Sequence, residues 1–239
     1  MRSGDGLNLR PQAGGGPVDW FWPSGLRSLR NQVADALREA ILRGDFAPGD
    51  RLLENALSEQ MQISRGPLRE ALRELEREGL AKSFPYRGTV VSAISRESIV
   101  EVLMPVRVVL ETCGFEHARS RIDDKGHADL ARLIEDMLKA ADDLDVRRVV
   151  ETDLAFHALV MRIGGQEESI RLWHSIEPRI RGFFYTTTPP AHESLRLAAS
   201  QHLELAERLK SGTKRQLKEA VRIHIENVPG FTADPPAGS

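Results

Sequence analysis

Apolar residues recur along the chain with two different periods, and the changes between them mark out its elements. Leu29, Val33, Leu37 and Ile41 return every fourth residue, the repeat of one face of an α-helix, and Gly44 supplies a stop. Ala47-Pro48-Gly49-Asp50 reads as a turn, and a short second helix is predicted over residues 54–61 with Leu57 and Met61 inward. Ser64 suits an N-cap, because its hydroxyl can accept a free N–H of the first turn, and Pro67 follows where a missing N–H costs nothing. A third helix therefore starts here, with Leu68, Ala71, Leu72 and Leu75 inward and Gly79 at its end. Two β-prone runs, residues 80–84 and 89–94, then flank Pro85-Tyr86-Arg87-Gly88 and read as a hairpin. Three helices and a hairpin make a winged helix-turn-helix.

Beyond residue 96 the pattern is helical throughout. Six segments are expected, 97–119, 124–142, 146–163, 167–184, 192–210 and 214–227, which form an antiparallel bundle or a close relative. Pro105 should kink or divide the first of them, and Thr186-Thr187-Thr188-Pro189-Pro190 is a break. The expected fold is mainly α. Residues 1–23, with Gly14-Gly15-Gly16-Pro17, and residues 229–239 bury too little to offset ordering entropy and read as loose tails. Trp20, Phe21 and Trp22 suit docking of the first tail onto a domain. The organisation predicted is thus a tail over 1–23, a winged helix-turn-helix domain over 24–95, a helical domain over 96–228 and a tail over 229–239.

Composition narrows the chemistry. With 239 residues, 41% of them hydrophobic, the chain can fill one core or two modest ones. A formal charge of −2 excludes nucleic-acid binding by bulk positive charge. Residues 24–94 carry 11 Arg plus Lys against 10 Asp plus Glu, so any DNA contact has to come from a few focused arginines. Cys113 is the single cysteine, which rules out an internal disulfide framework and a thiolate-rich zinc site, and it reads as a small buried apolar residue. No stretch approaches the about 20 apolar residues of a membrane span, and no secretory signal is evident, so a soluble, cytoplasmic protein with no membrane partner is expected.

Arg65, Arg69, Arg73 and Arg77 follow one another every fourth residue on the third helix, opposite its leucines, with Glu70, Glu74 and Glu78 beside them. For Arg73 and Arg77 a solvated face held by charge pairs explains the pattern. Arg65 and Arg69 lie in the first turns, where a recognition helix points at base edges and an arginine can grip guanine with two hydrogen bonds. Arg87-Gly88 at the hairpin tip suits a phosphate or minor-groove contact. Gly44-Asp45-Phe46-Ala47-Pro48-Gly49, Ser64-Arg65-Gly66-Pro67-Leu68-Arg69-Glu70-Ala71-Leu72, Leu75-Glu76-Arg77-Glu78-Gly79-Leu80 and Arg87-Gly88-Thr89-Val90-Val91 together resemble the GntR family of bacterial regulators. The resemblance implies DNA contacts from Ser64, Arg65, Arg69, Arg87 and Gly88. It departs at Gly66, where a hydroxyl residue is usual, and at Asn55, where some members carry a DNA-contacting arginine.

All seven histidines lie beyond residue 96. Asp153 and His157 are four apart on an apolar helix with Leu154, Phe156 and Val160, so carboxylate and imidazole emerge from one face. His202 and His224 each precede an apolar residue, Leu203 and Ile225, on helices that Ser211-Gly212-Thr213 makes antiparallel. Three imidazoles and a carboxylate suit a divalent transition metal, zinc first, with nickel or manganese if further oxygens complete an octahedron. His117, His127, His174 and His192 lack that mutual pattern and read as surface or packing residues. Arg107 with Glu111, Asp153-Leu154-Ala155-Phe156-His157, Gln201-His202 and Ile223-His224-Ile225 are similar to the FCD ligand-binding domain of the FadR subfamily, and six helices suggest its shorter, VanR-like branch. That resemblance implies that Asp153, His157, His202 and His224 hold a metal and that Arg107 faces the same cavity as an effector contact. An internal Arg107–Glu111 pair is the competing explanation.

These features predict a homodimeric, metabolite-responsive repressor that binds a pseudo-palindromic operator and answers to a small organic acid. A metal-sensing regulator and a metal-dependent enzyme are the alternatives, the second weakened by the lack of a suitably spaced acid or base.

Overall fold

A computed structural model describes residues 28–93 and 95–227. The expected tails, Trp20, Phe21, Trp22 and Ile94 lie outside them. By its contacts the chain divides between Ala93 and Ile94 into two compact units.

The first unit contains α1 (Leu29–Arg43), β1 (Arg51–Leu52), α2 (Glu54–Gln60), α3 (Arg65–Arg77), β2 (Ala81–Phe84) and β3 (Gly88–Val91). Its core takes Val33, Leu37 and Ala40 from α1 and Leu68, Ala71, Leu72 and Leu75 from α3. The α1 face differs from the expected one, since Leu29 is 44% exposed and Ile41 is only half-buried. The reason is geometric: each four-residue step overshoots one helical turn, so a strict fourfold repeat drifts off the core at both ends. Gly44 closes α1 in the left-handed conformation at φ 85°, its N–H donating to the carbonyls of Ala40 and Ile41. Ser64 stands at the N-cap of α3 but makes no side-chain capping bond, contrary to expectation. The hairpin forms as predicted, with Ala81 opposite Val91 and Phe84 opposite Gly88. A third strand, β1, joins its edge through Arg51 opposite Val90 and Leu52 opposite Thr89. Arg38 clamps α1 to the end of α3, bonding Glu78 through Nε at 2.8 Å and Nη2 at 2.6 Å.

The second unit contains a π-helical turn (Ser98–Leu103), α4 (Met104–Ala118), α5 (Asp124–Asp142), α6 (Val146–Gly164), α7 (Glu167–Thr187), α8 (His192–Ser211) and α9 (Lys214–Glu226). Pro105 divides the first expected segment by register: the Met104 N–H reaches Ile99, five residues back, and α-helical geometry begins there with proline in the first turn. Asp123, Asp145 and Thr213 cap α5, α6 and α9 through their side chains, Thr213 in a full capping box with Gln216. The α7 helix runs to Thr187, beyond the expected 184, and carries Pro178 in its buried interior. No described helix is long and apolar enough to cross a membrane.

Helix α4 packs on α6, α7 and α9, while α5 packs on α6 and α8. Where α4 meets α6, a Cβ on Gly164 would stand 2.5 Å from the Gly114 carbonyl oxygen, so this crossing needs glycine. Replacing Gly164 by Ala should destabilise the second unit by about 1 to 3 kcal/mol, because backbone cannot step aside as a side chain can. Thermal or urea unfolding of Gly164→Ala checks this, with Gly66→Ala, which meets nothing within 4 Å, as the control expected to lose no stability.

Candidate functional site

In the first unit every expected DNA-facing position is exposed: Asn55 on α2, Ser64, Arg65 and Arg69 at the start of α3, and Arg87 and Gly88 on the hairpin. Arg69 is not unengaged, however, since its Nε bonds Glu54 Oε2 on α2 at 2.7 Å. An exposed pair of this kind holds the side chain only weakly. The hairpin tip is anchored by Arg51, whose Nε and Nη2 donate to the Arg87 carbonyl at 3.1 and 2.7 Å. Tyr86, not singled out by its pattern, is fully exposed at that tip with φ 65°.

In the second unit α6 supplies Asp153 and His157, α8 supplies His202 and α9 supplies His224. Their ligand atoms all lie within 4.8 Å of one another, and all four side chains are buried. His157 Nε2 and His224 Nε2 are 3.0 Å apart, and His202 Nε2 is 3.3 Å from Asp153 Oδ1. Ligand atoms on a tetrahedral zinc stand about 3.3 Å apart when Zn–N is near 2.05 Å, so these spacings suit one small cation. Leu203 does not carry this placement, being 47% exposed, whereas Ile225 is buried; Ala199 and Leu205 turn α8 inward around His202. Cys113 is half-buried rather than buried, with His117 Nδ1 3.7 Å from its sulfur. His117 and His192 spend Nδ1 on the carbonyls of Cys113 and Ala141.

The surroundings select the ring tautomers. His202 Nδ1 lies 2.8 Å from the Ala198 carbonyl, which can only accept, so the proton sits there and the Nε2 lone pair faces the cluster. His157 Nδ1 lies 2.7 Å from Glu111 Oε2, a close contact outside hydrogen-bond geometry, and a carboxylate facing that nitrogen favours the proton there as well. Buried Asp153 Oδ2, His202 Nε2 and His224 Nδ1 have no hydrogen-bond partner, as expected of atoms arranged for something besides one another. Burial, then the neighbouring His202 and His157, pushes the His224 pKa well down; burial and the Arg107 charge lower that of His157. Burial alone would raise Asp153, but neighbouring positive charge, from His202 and His157 when protonated and from Arg107, holds it well below the usual carboxylate range. Neutral imidazole and ionised carboxylate are the ligating forms.

Arg107 is fully buried beside this cluster. Its Nε donates to Glu111 Oε1 at 2.6 Å, its Nη2 lies 3.9 Å from Asp153 Oδ2, and Nη1 and Nη2 have no hydrogen-bond partner. A cavity of about 30 Å³, room for about one water, adjoins Asp153 and His224. Val149, Val150 and Phe184 line it with the polar Thr188, Ser194 and Gln201. Phe156 stands edge-on to His202 at 4.9 Å between ring centroids and excludes solvent from the other side.

Residues 29–91 match the family described as bacterial regulatory proteins, gntR family, and residues 102–227 match the FCD domain. The chain is 26% identical over 200 residues to an uncharacterized HTH-type transcriptional regulator, YdhC, of Bacillus subtilis, covering 82% of this chain and 87% of that protein. It is 30% identical over 152 residues to the gluconate operon transcriptional repressor of Bacillus licheniformis, covering 64% and 62%. The fold is similar to that of E. coli McbR/YncC, with a TM-score of 0.73 at 22% identity over 84% of this chain and 95% of that one. A gntR-type DNA-binding unit followed by an FCD domain places the chain in the GntR family of bacterial transcriptional regulators, which act by binding DNA rather than as enzymes.

Proposed function

We propose that this regulator is a homodimeric repressor released from its operator by a small carboxylate, which binds beside a divalent cation held by Asp153, His157, His202 and His224. The observation that carries this reading is the convergence of those four buried side chains within 4.8 Å, next to a buried guanidinium with two unpartnered nitrogens. With its imidazoles neutral, the group formed by Arg107, Glu111, Asp153 and the three histidines carries one net negative charge. A divalent cation makes that one net positive, and a single carboxylate restores neutrality, which a low-dielectric interior favours strongly. A bound cation supplies a fixed positive charge for a ligand oxygen, zinc being favoured by three nitrogens and one oxygen and nickel or manganese by added oxygens. Arg107 would hold the other oxygen of the acid. Among the relatives, one is named for the operon of gluconate, a carboxylate.

The cavity of about 30 Å³ is smaller than any organic acid, so effector binding must separate the helices that line it, α6, α7, α8 and α9. That requirement couples ligand to conformation: an acid favours the opened arrangement by its differential affinity, and a coupling of about 1 to 3 kcal/mol is the usual scale. Val102, Val106 and Val109 form an exposed apolar stripe along the π turn and α4, which a second copy of the chain would cover. Two-fold symmetry would double the few base pairs that one α3 can read.

Three measurements test the reading. First, Arg69→Ala should weaken operator binding by about 1 to 3 kcal/mol, while Glu54→Gln, which releases Arg69, should strengthen it by less than about 1 kcal/mol. A monomer that binds operator and random DNA equally would overturn the dimeric repressor. Second, purified protein should hold about one metal per chain; Ala at His157, His202 or His224 should lower metal content and Tm together, and Ala at His117 or His127 should not. Third, a thermal-shift screen of organic acids on metal-loaded protein should find a stabilising carboxylate that weakens operator binding. Calorimetry should show that Arg107→Ala loses this acid while keeping metal and DNA; a screen answered by neutral compounds alone would remove the carboxylate.

A further inference from the structure

Glu111 enters the sequence only as a possible partner of Arg107, but it stands where three helices meet. It is fully buried on α4. Oε1 accepts from Arg107 Nε at 2.6 Å and from Trp173 Nε1 of α7 at 2.8 Å. Oε2 faces His157 Nδ1 of α6 at 2.7 Å, a contact that is short but bent away from a linear hydrogen bond. Burying an ionised carboxylate is costly, and Arg107 by itself would balance the charge. A salt bridge alone therefore leaves unexplained why the second oxygen is aimed at a ring whose other nitrogen lies 3.0 Å from His224 Nε2.

We propose that Glu111 is the outer carboxylate of the metal centre, a positioning residue that keeps the His157 proton on Nδ1 and presents Nε2 to the ion. The inference rests on reading the four-residue cluster as a metal site. A carboxylate on the far nitrogen raises the basicity of a ligating imidazole and fixes its ring orientation, and removing such a partner typically lowers metal affinity about 10- to 100-fold. His202 obtains the same service from a neutral backbone carbonyl, that of Ala198, so Glu111 is the one anionic outer partner among the described contacts of these histidines. Through Oε1 the same carboxylate grips Arg107. The guanidinium and the His157 ring are thereby both set against one side chain, and a change at either is felt by the other through the charge of Glu111.

The test uses the full-length protein stripped with a chelator and titrated with Co²⁺, whose visible absorption reports ligand number, followed by Zn²⁺ competition. Glu111→Gln should still take up one ion per chain but bind it about 10- to 100-fold more weakly, with an altered Co²⁺ spectrum, whereas His127→Ala should match the wild type. A purely structural Arg107–Glu111 pair predicts a lower Tm with unchanged affinity and spectrum, and that result would overturn the proposal. Failure of the wild type itself to bind Co²⁺ or Zn²⁺ would instead remove the underlying metal reading. Should Glu111→Gln not fold, ¹⁵N NMR of the zinc-loaded wild type decides the matter. His157 must then show a protonated Nδ1 and a ligated Nε2, and ligation through Nδ1 would sink the idea.

Discussion

Ionisable side chains cannot be taken from water unless each finds a partner, and the second unit is organised around six that have been. Arg107, Glu111, Asp153, His157, His202 and His224 sit at its centre on α4, α6, α8 and α9, surrounded by Phe115, Phe156 and Phe184. Close approach of the helices follows from this, since short side chains such as aspartate and histidine reach a common point only if their backbones are near. Gly114 and Gly164 permit that approach between α4 and α6, the two helices that carry Arg107 with Glu111 and Asp153 with His157. The arrangement leaves buried polar atoms without partners at the cluster and on Arg107. Such a centre is poorly suited to stability alone and well suited to an occupant that completes it.

The first unit solves a different problem. Its fully buried core is apolar, drawn from α1, α2, α3 and the sheet, and its charges stay at the surface apart from the half-buried Arg38–Glu78 pair. Because that surface is not strongly basic as a whole, the proposed DNA recognition would depend on a few arginines whose positions are set by neighbours: Arg69 by Glu54, and the hairpin tip by Arg51. A weak exposed pair restrains a side chain without committing it, so Arg69 can exchange Glu54 for a base edge or phosphate at little cost. On the proposed reading the two units divide the labour of a regulator: one would read DNA through exposed charge, and the other holds buried charge whose balance a small ligand would alter.

How much of this was legible in the sequence follows from the range of the interactions concerned. Periodicity and punctuation are local, so α2, α3, the hairpin and the helices from α5 to α9 were predicted within a few residues, and Gly44 and Gly79 marked the ends of α1 and α3. The drift of α1's buried face, the failure of Ser64 to cap and the extension of α7 past residue 184 are small departures in which packing overrode a local preference. The strand β1 was missed because two residues carry no period, and β3 alone makes them a strand. Asp153 and His157 were visible as an i, i+4 pair, and His202 and His224 by their places before apolar residues on two antiparallel helices, with the family resemblance supporting all four. The actual inward placement of His202 and His224 rests on Ala199, Leu205 and Ile225, not on the exposed Leu203.

By itself the sequence determined the mainly α fold, the order of its two units and the residue types available for DNA and metal, because these depend on spacing along the chain. Only the tertiary structure decided which atoms meet: that Glu111 lies against Arg107, Trp173 and His157 together, that Nε2 rather than Nδ1 of His157 faces the cluster, and that two nitrogens of Arg107 lack a hydrogen-bond partner. Spacing along a helix places a side chain on a face, but the partner across the interface is set by how α4, α6 and α7 pack. Buried hydrogen bonding, which fixes tautomers and charge, is a property of that packing and has no local signature.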